Sequence, residues 1–182
     1  MSGFIKSLVP QEYDRREMLR YAGVREATSD VEALLEECLK ECDGIFSYKV
    51  CYVELERESF PDFLKDYERL KGCERAVIFV ATVGIGIDRL IKKHSVSSPS
   101  KALMLQAIGA ERIESLCDSF CNGYENATPR FSPGYARLEL DAQRKIFSLL
   151  DPERSIGVTL NTSLLMSPSK SVSAIFGIRS KK

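Results

Sequence analysis

The sequence predicts an α+β fold in a single domain spanning residues 1–182, with a mainly antiparallel sheet and helices beside it. Three observations point there. Helix pairs fall between strand-like runs, rather than the regular strand–helix alternation of a doubly wound parallel sheet. Arg75–Val83 (RAVIFVATV) is a continuous apolar run rich in β-branched residues, as in a strand buried on both faces. The last two strand-like runs, 156–160 and 171–178, lie too close together for a crossover connection.

The elements follow in order. Gln11–Tyr21 reads as a short helix stopped near Gly23. Ser29 and Glu32 have the spacing of a capping box, opening a helix whose apolar stripe runs Val31, Leu34, Leu35, Cys38, Cys42 and which Gly44 ends. Phe46–Glu56 (FSYKVCYVELE) reads as a strand with Tyr48, Val50 and Tyr52 on one face. Phe60, Phe63, Leu64, Tyr67 and Leu70 mark a third helix, closed by Gly72. After the buried strand, Gly84 and Gly86 make a turn, and Ile87, Leu90 and Ile91 begin another helix. Ser98–Pro99 combines an N-cap with proline at the first helical position. The long helix it opens runs to about Phe120 and carries Leu103, Ala107, Ala110, Leu116 and Cys117. Residues 122–136 form a loop, Asp141 caps a helix through Leu150, and Asp151–Pro152 ends it.

Composition narrows the function. Lys+Arg and Asp+Glu each number 26, so the formal net charge is zero, which removes the electrostatic footprint of a general nucleic-acid binder. The basic end, Arg179 with Lys181 and Lys182, reads as solvated charge. A chain of 182 residues can bury roughly 70% of its unfolded surface, so no disulfide or metal staple is needed. Met1–Pro10 has no long apolar stretch before a cleavage site, and no segment approaches the roughly 18 apolar residues of a membrane span. The expectation is a cytoplasmic protein with reduced thiols. Cys38 with Cys42 and Cys117 with Cys121 stand four apart and, on helices, would share a face. Both pairs continue apolar stripes, so they read as buried hydrophobes rather than zinc ligands, and no metal site is assigned.

Few residues offer catalysis. Gly84-x-Gly86 lacks the third glycine of a dinucleotide fingerprint, with Arg89 in its place, and reads as a tight turn. His94, the only histidine, lies among Lys92, Lys93 and Ser95, where it complements a helix C-terminus. Without a preceding Asp and a following Gly it lacks the context of a cobalt ligand, so no corrinoid is expected on the chain itself. The most unusual segment is Arg130-Phe-Ser-Pro-Gly-Tyr135, where Pro133–Gly134 forces a turn. Its Arg can match a ligand carboxylate bidentately or pair with a local acid; residue types alone leave both readings open.

With Gln143–Phe147 (QRKIF), Ile156–Met166 (IGVTLNTSLLM) and Ser171–Phe176 (SVSAIF), this loop resembles the activation, or reactivation, domain of cobalamin-dependent methionine synthase. The resemblance is clear over 76–178 and weaker over 1–75, where stand-alone versions of the domain are the nearer likeness. It implies a C-shaped α+β domain with a twisted antiparallel sheet. It implies binding of S-adenosylmethionine, whose methyl group, with an electron from flavodoxin or a similar donor, restores methylcobalamin from its inactive Co(II) form. The family's RxxxGY motif falls on Arg130, Gly134 and Tyr135. Ser132 takes the position whose backbone faces the adenine, and Glu114 the helix acid that contacts the methionine portion. Arg130 and Tyr135 are expected to face one cleft, with Glu114 on its opposite wall. No residue is assigned as an acid or base, because methyl transfer to Co(I) is a displacement by a strong cobalt nucleophile. The chain holds no cobalamin-binding, folate or homocysteine module, so cobalamin is expected only on a partner, a methionine synthase or another corrinoid protein. The alternative is a corrinoid-protein-binding or regulatory module of the same fold that does not bind S-adenosylmethionine; an unrelated enzyme on this fold ranks last.

Overall fold

A computed structural model describes residues 4–135 and 137–180. The start at Met1, the loop end at Ala136 and the basic pair Lys181–Lys182 lie outside the described residues.

The sheet is antiparallel throughout. Its strand order is β1 (Phe4–Ser7), β2 (Lys49–Glu56), β3 (Cys73–Thr82) and β6 (Ser171–Arg179). Period-two patterning divides the core between the two faces. Val77, Phe79 and Ala81 of β3 join Val50, Ala174 and Phe176 on one face. Ala76, Ile78 and Val80 join Cys51, Val53 and Ile175 on the other. This is why the 75–83 run shows no polar alternation: β3 is central and covered on both sides.

Helices cover each face. On the first lie α1 (Arg15–Tyr21), α2 (Ser29–Glu41), α4 (Gly86–His94) and the long α5 (Pro99–Cys121). On the second lie α3 (Asp62–Lys65), α6 (Ala142–Leu150) and α7 (Pro152–Ile156). A two-stranded ribbon, β4 (Thr159–Leu160) with β5 (Met166–Ser167), precedes β6. Gly86 permits the β3–α4 turn, since a Cβ there would collide with the Ile45 carbonyl.

Several expectations need correction. The edge strand β1, paired with β2 from Phe4↔Tyr52 to Ser7↔Lys49, has no counterpart in the sequence reading. Helix α1 starts at Arg15, capped by the Asp14 carboxylate, because the buried Arg112 takes the Gln11 and Glu12 carbonyls at 2.8 and 3.1 Å. The capping box does not form. Thr28 is the N-cap, Ser29 the first helical residue, and the Glu32 carboxylate accepts from Arg15 at 2.9 Å. Strand β2 begins at Lys49 rather than Phe46. The expected helix over 60–70 is broken into α3 between two 3-10 turns, Arg57–Ser59 and Glu68–Leu70. Leu64 and Leu70 are both buried but six apart, a spacing one helix would place on different sides. Leu103 is 55% exposed, facing away from the α5 stripe. The strand expected over 156–160 shrinks to two residues, because Pro152 opens a helical turn that ends at Gly157. His94 closes α4 but is buried, its Nε2 2.8 Å from Glu41 Oε2, so it serves a tertiary hydrogen bond rather than an exposed helix end.

Candidate functional site

The loop after α5 runs along the outer edge of β6. Phe131 exchanges both backbone hydrogen bonds with Ile175 (2.9 and 2.8 Å), and the Thr128 N–H donates to the Gly177 carbonyl at 2.8 Å. Thr128 Oγ1 accepts from the Gly177 N–H at 2.9 Å. The loop therefore continues the sheet and covers its edge.

Extended pairing also sets which way the side chains point. Phe131 is 4% exposed and packs into the α6 face of the core. Its neighbour Arg130 turns to the opposite face, toward α5. There Nη2 of Arg130 donates to Glu114 and Nη1 to Asp118. The two acids are one helical turn apart on α5, so a single side chain spans both. After Phe131 the chain reverses. The Tyr135 N–H donates to the Ser132 carbonyl at 3.1 Å, with Pro133 and Gly134 between. Gly134 has φ +88°, which fits position i+2 of a type II turn, while proline supplies i+1. Tyr135 emerges from this turn 72% exposed.

These pieces surround one cleft of about 1210 Å³. Glu114, Asp118, Arg130, Ser132 and Tyr135 line it, with Ser171–Ser173 of β6 on the sheet side. The cleft thus collects a guanidinium, two carboxylates, a phenol ring and backbone. Gly134 shapes the turn without lining the cavity. Glu114 is not on an opposite wall, as expected; it is bound to Arg130. The reason is the alternation along 130–132, which aims Arg130 at α5. Asp118 was missed, although its i+4 relation to Glu114 was readable. Arg69 also lines the cleft, and nothing in the sequence singles it out.

The cysteines belong to the packing. Cys38, Cys42 and Cys117 are fully buried, and burial pushes the Cys38 thiol up to about 11 and Cys42 to about 12. Burial raises Cys117 further still. Among the described residues, no group of three or more His, Cys, Asp or Glu side chains stands where it would hold a metal ion. Among them also, no helix is long and apolar enough to cross a membrane.

The antiparallel sheet with helices on both faces, and the Pro–Gly loop laid along its edge over a long helix, are matched in fold by a methionine synthase reactivation domain. A solved structure described as the "MetH Reactivation Domain bound to AdoHcy" superposes with TM-score 0.62 over 94% of this chain and 72% of that one, at 17% identity. In sequence, residues 113–181 match the family described as "Vitamin B12 dependent methionine synthase, activation domain". The resemblance read from the signature loop is therefore present in sequence over the C-terminal part and in fold over nearly the whole chain. No curated protein sequence matches significantly.

Proposed function

We propose that this chain is a stand-alone reactivation subunit of cobalamin-dependent methionine synthase. It binds S-adenosylmethionine in the cleft under the 130–135 loop and acts in trans, in the cytoplasm, on the cobalamin of a methionine synthase or other corrinoid protein. A flavodoxin-like donor supplies the electron. One observation carries the reading: the family-matched loop is pinned to β6 so that charges of both signs and an exposed ring share one cavity. A zwitterionic ligand with an aromatic base needs that set, and a cleft of about 1210 Å³ admits a nucleoside of that size.

The ligand supplies an activated methyl group; the protein's part is to hold and aim it. In this reading Glu114 and Asp118 face the cationic groups, the turn through Ser132 and Gly134 brings backbone close to the base, and Tyr135 offers its ring at the mouth. No proton transfer is required of the chain.

The second reading, a corrinoid-protein-binding or regulatory module that does not bind S-adenosylmethionine, is favoured by the pairing of Arg130. Both terminal nitrogens already meet acids, as they would in a purely structural turn. Calorimetric titration of the purified chain with S-adenosylmethionine separates the two. Saturable binding is expected, weakened by about 1.5–3 kcal/mol in Arg130→Ala, with an unchanged circular dichroism spectrum. Unaltered binding by Arg130→Ala defeats the site assignment. No binding by the wild type, with a complex to a corrinoid protein retained, supports the second reading.

A further inference from the structure

We propose that Gln143 recognises the base of the cleft's ligand, its side-chain amide hydrogen-bonding the donor–acceptor edge of an adenine. That the base is adenine rests on the proposed function, S-adenosylmethionine in this cleft.

Gln143 stands where an apolar residue would be expected. In α6 it lies three residues before Ile146 and seven before Leu150, on the stripe that these two bury against the second face of the sheet. It is 4% exposed, yet its amide makes no hydrogen bond among the described residues. Neither amide atom is sealed in, because Ser119 Oγ is the one enclosed side-chain nitrogen or oxygen without a partner among those residues. The small exposed part of Gln143 therefore includes its amide, which opens into the cleft that the residue lines. A polar group taken this far out of water is costly unless something pairs with it. Nothing in the chain does, so the partner comes from the cleft. Ser173 repeats the pattern. It shares the sheet face of Ile175, lines the same cleft at 3% exposure, and its hydroxyl is also without a partner among the described residues.

Position supports the assignment. Glu114, Asp118 and Arg130 gather on the α5 side, whereas Gln143 comes from α6 and Ser173 and Phe131 face that helix. The cleft thus has an ionic end and a neutral polar end, with the loop between them. S-adenosylmethionine divides in the same way, into a charged amino-acid part and a neutral heteroaromatic base. The start of α6 is also tied to the Pro133–Gly134 turn. The Gly134 N–H donates to the Leu138 carbonyl at 2.8 Å, Leu140 Cδ1 lies 3.4 Å from where a Gly134 Cβ would stand, and the Gln143 N–H donates to the Leu140 carbonyl at 3.0 Å. An amide carries a donor and an acceptor side by side. The 6-amino group of adenine and its neighbouring ring nitrogen present the complementary pair.

The test compares two ligands by calorimetry: S-adenosylmethionine and an analogue whose base has hydrogen in place of the 6-amino group. The wild type should prefer S-adenosylmethionine roughly tenfold, as for one well-placed hydrogen bond. Gln143→Leu, of similar volume, should weaken S-adenosylmethionine roughly tenfold and cut that preference below about twofold. Its urea midpoint should not fall, because the amide has no bond within the protein to lose. A preference that survives in Gln143→Leu, or equal losses for both ligands with a lowered urea midpoint, overturns the assignment. If the wild type binds neither ligand, the proposed function fails and Gln143 is read separately. Its side-chain NH2 resonances, identified by their loss in Gln143→Leu, are then followed during titration with adenosine alone. A saturable shift upholds Gln143 as the cleft's base-binding group; no shift overturns it.

Discussion

The part of the chain before residue 113 and the part after it contribute differently to one fold. The later part carries the sequence match, the two acids, the loop and β6. The earlier part lies outside the matched segment, yet among the described residues it supplies three of the four strands of the main sheet and most of the first-face helices. The two meet around Phe120, whose ring lies 5.1 Å from Tyr52 and 5.0 Å from Phe79 on one side, and 5.6 Å from Tyr124 and 6.2 Å from Phe176 on the other. The difference teaches what each kind of residue must satisfy. A tight loop docked on a sheet edge needs particular backbone angles and side chains at particular places, so its sequence is restrictive. A strand buried on both faces needs only apolar volume at the right period, which many sequences meet.

Three substitutions test that division, the largest effect first. Phe120→Ala removes the ring that joins the parts and should cost about 4 kcal/mol, as for other large core truncations. Urea unfolding should stay a single transition for both parts; two separated transitions would show that they fold as independent units. Next, Arg112→Ala leaves Glu111, only 5% exposed at its side chain, without its partner and frees the Gln11 and Glu12 carbonyls. A loss of about 3 kcal/mol is expected for a broken buried pair, with faster amide exchange near residues 11–14. Ligand affinity should not move; a parallel fall in affinity would mean that the early part shapes the cleft beyond Arg69.

The smallest effect concerns acid stability. Hydrogen bonds from His94 and Lys101 hold the Glu41 carboxyl at about 2, below its ordinary 4.5. A carboxyl depressed on folding adds stability above its unfolded pKa, and that contribution is lost as pH falls through the folded value. The wild type should therefore weaken between about pH 4.5 and 2. Glu41→Gln should flatten part of that fall and leave ligand affinity at neutral pH unchanged. An identical acid profile in the variant would remove Glu41 as a source of acid sensitivity.

Local patterns were legible wherever one element determined its own burial. The 75–83 run, the Ser98–Pro99 start of α5 and the Pro133–Gly134 turn each contain their cause within a few residues. Illegible features depended on distant partners. Strand β1 is four exposed residues, and only its pairing with β2 makes it a strand. Glu32 spaces correctly for a capping box, but Arg15 of α1 claims its carboxylate.

The sequence by itself determined the α+β class, the central strand, the long helix and the loop with its Arg, Gly and Tyr. Each follows from periodicity or from a backbone angle that only proline or glycine readily meets. Only the tertiary structure decided that Arg130 is bound to both Glu114 and Asp118, that Phe131 anchors the loop to β6, and that Arg69 reaches the same cleft. Those facts depend on how the loop docks on the sheet edge. That docking forms from backbone hydrogen bonds common to every residue except proline as donor, so side-chain identity leaves little trace of it.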